Sequence, residues 1–164
     1  MSENQKVTRK EQILLALASM LEESPGSRVT TSGLAQKVGV SEAALYRHFP
    51  SKNRIFETLI EFIEETIFSR ISIILTEETS TIARIQQIIY LLLTFSERNP
   101  GITRLLTGDP LAGESEHLRI RVNQFFDRYE TQLKQVLREG EIRDGQKLNI
   151  DIQAAANLML SCTE

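Results

Sequence analysis

Hydroxyls, a phenol, an imidazole and an ammonium crowd into one short run, VSEAALYRHFPSK at residues 40 to 52. Ser41, Tyr46, His48, Ser51 and Lys52 can all donate hydrogen bonds, and donors of this kind suit phosphate oxygens and the acceptor edges of bases. Thr30 and Thr31 stand upstream at another helix start, where a hydroxyl and the free N–H groups of a first turn together suit a phosphate. The side chains from Ser41 to Tyr46, with Glu42 and Ala43 among them, are left for base edges in a groove. His48 enters this set by position alone, because a lone histidine is usually a surface or core group.

No catalytic set accompanies them. His48 and His117 lie far apart in sequence, the one cysteine, Cys162, falls in an apolar helix, and there is no glycine-rich phosphate loop. Asp109, Glu114 and Glu116 share a loop but lack the alternating ligands of a calcium-binding hand, so they read as solvated charge. The chain is expected to be a non-enzyme without cofactor or metal.

Charge is unevenly divided. The 164 residues carry a net charge of -3, yet residues 1 to 54 hold eight Lys and Arg against five Glu, leaving a strongly acidic remainder. A basic head on an acidic body is the footprint of a phosphate-binding surface confined to one segment. No apolar run approaches the ~20 residues that cross a bilayer. The N-terminus MSENQKVTRK lacks the apolar segment of a secretory signal, so a cytoplasmic chain is expected.

The elements that must position these groups are helical. Tryptophan is absent, Gly and Pro are sparse, and helix-favouring residues dominate, which predicts an all-α fold. Thr8 and Glu11 form a capping box before an apolar stripe of Ile13, Leu14, Leu17, Ala18 and Leu21. Thr31 is the expected N-cap of a short helix through Val38, Gly39 supplies the turn, and Ser41 caps a helix through about His48. Two short helices with a glycine turn form a helix-turn-helix, with Leu34, Ala35, Val38, Val40 and Leu45 facing inward.

Ser51 caps a long fourth helix from Lys52 to about Leu75, and a fifth spans about Thr81 to Glu97. Asn99 is placed to cap a short sixth helix with Pro100 at its first position. A seventh helix from about Glu116 is expected to stop at Gly140, and Asn149 to cap an eighth. The apolar pattern of that last helix still runs at Glu164, which predicts that the natural chain continues.

The segment TTSGLAQKVGVSEAALYRHFPSK resembles the N-terminal domain of TetR-type transcription regulators. That resemblance implies a DNA-binding head over residues 1 to 51, a helical body over 52 to 164, and a homodimer, built mainly from the last helices, on a palindromic duplex. The further stretches LIEFIEETI, ERNPGITRLLTGDPL and ETQLKQVLREGEIRDG resemble bacterial nucleoid occlusion factors, a branch of the same superfamily. This second resemblance implies a protein that binds chromosomal DNA and, while bound, antagonises the cell-division polymer FtsZ, with no small-molecule inducer.

On the fourth helix, Phe62, Thr66, Ser69, Arg70 and Ile73 fall on a second face beside the core stripe. From spacing alone that face reads as buried. On the fifth, Leu91, Thr94, Arg98 and Asn99 recur at helical spacing, although Arg98 alone could serve the helix dipole and Asn99 could serve as a cap. The nucleoid occlusion resemblance implies that the FtsZ C-terminal tail lies between these helices. A ligand-sensing TetR-type repressor is the alternative, with Gln86, Gln87, Tyr90 and Thr94 the few polar groups available to line a pocket. A helical adaptor without DNA function is the third, and would make the basic head accidental.

Overall fold

The computed structural model describes residues 7–24, 26–108, 116–145, 147 and 149–161. Eight helices follow one another: α1 Arg9–Glu23, α2 Thr31–Val38, α3 Glu42–His48, α4 Lys52–Glu77, α5 Thr81–Arg98, α6 Pro100–Leu106, α7 Glu116–Asp144 and α8 Ile152–Ser161. The described residues hold no strand. Asp109, Glu114 and Cys162 lie outside them, as does most of the acidic loop.

The chain divides into two compact units, one from the N-terminus to Glu61 with Asn99–Arg119, the other Phe62–Arg98 with Ile120–Glu164. In the first, Ile13, Leu17 and Leu21 of α1 pack with Leu34, Ala35, Leu45 and Phe49 as a buried core. The Thr8 hydroxyl accepts from the Glu11 N–H at 3.2 Å while the Glu11 carboxylate accepts from the Thr8 N–H at 2.6 Å, so the capping box forms. α6 lies on α1, where Arg104 donates to the Leu21 carbonyl at 2.6 Å. Across α4 and α7, the Glu57 carboxylate takes Arg54 at 3.1 Å on one oxygen and His117 at 3.1 Å on the other.

The second unit is a bundle of α4, α5, α7 and α8. Glu64 meets Arg121 at 3.0 Å and Phe68 meets the Phe125 ring at 5.7 Å, so α4 and α7 run in the same direction. Along α5, Ile88 meets Tyr129, Arg84 meets Glu139 and Thr81 meets Arg143, so α5 runs against α7 and therefore against α4. The Arg84 guanidinium closes the short α4–α5 turn on the Leu75 and Glu78 carbonyls, at 2.8 and 2.7 Å. Among the described residues no polar or charged side chain is buried apart from Tyr129, whose hydroxyl donates to the Ile88 carbonyl at 2.9 Å.

Several local expectations are corrected. The cap of α2 is Thr30, whose hydroxyl oxygen accepts from the Gly33 N–H at 3.1 Å, and Thr31 is the first helical residue. α7 passes through Gly140, which is not among the left-handed glycines and packs on Thr81, where a Cβ would stand 2.5 Å from two Thr81 atoms. The helix ends instead before Gly145, at φ +64. α8 is capped by Asp151, whose carboxylate accepts from the Ala154 N–H at 3.1 Å, not by Asn149. Asn99 occupies the cap position of α6 without a side-chain cap bond.

Candidate nucleic-acid interface and partner face

α2, the turn and α3 are held by their own caps. The left-handed Gly39, φ 76 and ψ 37, ends α2, and the N–H groups of Gly39 and Val40 close on the carbonyls of Gln36 and Ala35. The Ser41 side chain accepts from the Ala44 N–H at 3.2 Å and starts α3. Burying Leu34, Ala35 and Leu45 turns the opposite edge outward, so Ser41, Glu42, Ala43, Tyr46, Arg47 and His48 are all exposed. Tyr46 keeps 45% of its surface.

The two threonines do different things. Thr30 is exposed and uses its oxygen as a cap, which leaves its hydroxyl hydrogen for an acceptor outside the protein. Thr31 is half-buried and donates to the Glu42 carboxylate at 2.9 Å. Ser51 caps α4 by accepting from the Arg54 N–H at 3.1 Å, again with its hydrogen free to turn outward. Lys52, half-buried, donates to the Val29 carbonyl at 3.1 Å.

Not every positive charge of the head is available. Lys37 is matched by Glu23 at 2.5 Å, and Arg54 by Glu57 and Glu61 at 3.1 and 2.9 Å. The Lys37 bond and that of Ser19 hold the Glu23 carboxyl below its usual range. Arg47 has no such neighbour among the described residues and stands between Tyr46 and His48. Arg47 is not among the donors that the sequence singles out, although it is a cation within the candidate reading helix.

The second face of α4 is open rather than buried. Phe62 is 51% and Ile73 44% exposed, Ser69 and Arg70 are exposed and Thr66 is half-buried. Thr66 and Ser69 turn their hydroxyls back to the α4 backbone, at 2.8 and 3.1 Å. On α5, Leu91 and Thr94 are half-buried and Arg98 is exposed. Arg70 and Arg98 make no hydrogen bond or ion pair among the described residues. Along α4 exposed Phe62 is followed by exposed Arg70, and along α5 half-buried Leu91 is followed by exposed Arg98. Asn99 belongs to the other compact unit. The candidate pocket residues Gln86, Gln87 and Tyr90 are exposed, Tyr90 by 71%, and do not converge inside the bundle.

Comparison with known proteins agrees with this architecture. Residues 10–59 match the family of bacterial regulatory proteins of tetR type, and residues 79–164 match a tetracyclin repressor-like C-terminal domain of SlmA-like proteins. The nucleoid occlusion factor SlmA of Shewanella halifaxensis is 57% identical over 164 residues, covering 100% of this chain and 83% of that protein. The SlmA of Alteromonas mediterranea is 59% identical over 159 residues, covering 97% of this chain and 82% of that one. Among solved structures, the fatty acid degradation regulator FadR of Bacillus halodurans shares the fold, with a TM-score of 0.81 at 18% identity over 98% of this chain and 82% of its own. These are regulators, not enzymes. Through both its head and its body the chain belongs to the tetR family of bacterial regulatory proteins and, within it, to the nucleoid occlusion factors of the SlmA type.

Proposed function

We propose that the chain is a nucleoid occlusion factor that binds palindromic chromosomal DNA as a homodimer and, while bound, engages the C-terminal tail of FtsZ and blocks septation over the nucleoid. It acts in the cytoplasm on the nucleoid. Thr30, Ser51, Lys52, Tyr46, His48 and Arg47 bind backbone phosphate, and the exposed edge of α3 at Ser41, Glu42 and Ala43 faces the bases. Dimerisation uses the last helices, a reading supported by Leu158 of α8, which is 64% exposed.

The observation that carries the partner reading is the open α4–α5 face, where half-exposed Phe62 accompanies two arginines, Arg70 and Arg98, that have no partner of their own among the described residues. Phe62 and Leu91 anchor apolar residues of the tail, Thr94 lines the wall, and Arg70 and Arg98 take its carboxylates as charge-assisted hydrogen bonds. The body's acidity keeps DNA on the head and leaves this face to protein.

Fluorescence anisotropy of a labelled FtsZ C-terminal peptide, titrated with the chain with and without specific duplex, tests the proposal. Saturable binding that weakens on Arg98→Glu supports it, and a folded, dimeric sample that does not bind the peptide overturns it. The ligand-sensing alternative needs convergent polar groups inside an apolar cavity. Against it stands the apolar core of the described residues, in which the Tyr129 hydroxyl is already bonded. A small molecule that releases the DNA would favour that alternative.

A further inference from the structure

We infer that Glu42, held in place by Thr31, selects bases for the reading helix, an inference that rests on the DNA-binding function proposed above and deepens it. The Thr31 hydroxyl donates to the Glu42 carboxylate at 2.9 Å and joins the first residue of α2 to the first residue of α3. A threonine hydroxyl has one proton. Given to Glu42, that proton cannot reach a phosphate in the same arrangement, so Thr31 acts as a positioning residue. Thr30 beside it keeps its proton free, and the adjacent threonines divide holding and gripping between them.

Glu42 is exposed and forms no ion pair among the described residues, so no cation neutralises its charge at the start of the reading helix, one turn from exposed Tyr46. On a surface built for a polyanion this charge weakens any complex in which it meets only phosphate and acceptor edges. The loss is offset where a base presents an amine. An ionised carboxylate only accepts hydrogen bonds, so it suits the N4 amine of cytosine or the N6 amine of adenine and is repelled by O6 and N7 of guanine and by O4 of thymine. Fixing the carboxylate against Thr31 limits how far it can swing away from a wrong base, which turns a general repulsion into discrimination at one position of each half-site.

The test is selection of duplexes from a randomised library by the full chain, repeated with Glu42→Gln, Thr31→Val, Thr31→Ser and the double variant Thr31→Val with Glu42→Gln. Circular dichroism first establishes parental helicity for each. The parent is expected to enrich an amine-bearing base at one position of each half-site. Glu42→Gln should lower that preference about tenfold. It should also bind unselected duplex more tightly than the parent, by a margin that shrinks as salt is added. Thr31→Val should loosen the same position, the double variant should be no looser than Glu42→Gln alone, and Thr31→Ser should keep the parental preference. Thr31→Val that weakens selected and unselected duplexes alike, with the enriched sequence unchanged, would make Thr31 a phosphate contact and overturn the inference. Parental selectivity in Glu42→Gln would overturn it equally. A folded parent that enriches no sequence would instead overturn the DNA-binding reading, and this inference with it.

Discussion

The backbone of α6 touches the backbone of α1 where Gly101 meets Ala18, so closely that a Cβ on Gly101 would stand 2.1 Å from the Ala18 carbonyl oxygen. The Ala18 carbonyl carbon and the Glu22 nitrogen lie 3.1 Å from the same point. All three are backbone atoms of a helix and cannot step aside as a side chain would. Gly101→Ala is therefore expected to cost about 3 kcal/mol, the upper end for overpacking, and to lower Tm by roughly 6 to 12 °C in thermal denaturation. Gly140→Ala should cost less, because the atoms it would meet belong to the Thr81 side chain and not to the backbone of a packed helix. Equal losses in the two variants would contradict this account of α6.

Tyr129 bridges α7 and α5 from inside the bundle, and burial pushes its hydroxyl well above its usual range. Tyr129→Phe removes one hydrogen bond while keeping the ring, so a loss of about 1 kcal/mol is expected. The pH dependence follows from the raised value in the folded state. The contribution is complete below the ordinary tyrosine range and declines as pH climbs above about 10, where the unfolded chain releases the proton and the folded one retains it. Denaturant midpoints measured across that range should fall less steeply in Tyr129→Phe than in the parent.

What could be read in the sequence was local. The apolar stripes of α1, α4 and α7 and the caps at Thr8, Ser41 and Ser51 are set within a turn or two of chain, and each stands where its pattern predicts. Gly140 misled because the atoms that make a glycine useful there belong to Thr81, far outside any local window. Asn149 and Asp151 both suit a cap, and only the reach of the Asp151 carboxylate to the Ala154 N–H decides between them. Spacing placed Phe62 and Arg70 on a second face of α4, but it gives an angle around the helix and not what covers that angle. Thr31 likewise was legible as a hydroxyl at a helix start, whereas its bond to Glu42 depends on how α3 crosses α2.

The head's cations should separate by whether the fold already uses them. Arg47→Ala is expected to weaken binding to every duplex alike and to flatten the plot of log affinity against log salt by about one unit per protomer. Lys37→Ala should leave that slope nearly unchanged, because the Lys37 ammonium is already matched by Glu23. Electrophoretic or anisotropy titrations over a series of salt concentrations read both. A slope change of equal size in the two variants would mean that the Lys37–Glu23 pair opens on DNA.

Binding and folding should be separable on the α4–α5 face, because its members contribute little to the core. Phe62 keeps about half its surface, and Arg70 and Arg98 hold no ion pair among the described residues, so altering them leaves little unsatisfied behind. Phe62→Ala, Arg70→Glu and Arg98→Glu are each expected to keep Tm within about 2 °C of the parent. Each should also lower affinity for the FtsZ tail by about tenfold or more, since truncating an anchor or reversing a paired charge removes a central contact. Arg121→Glu provides the contrast. It replaces a cation 3.0 Å from Glu64 with a second carboxylate, so it should lower Tm without a specific effect on the tail. Parallel thermal melts and peptide titrations decide the matter. Loss of tail affinity that tracked loss of Tm across all four variants would mean that the peptide only senses folding, and that the tail binds elsewhere.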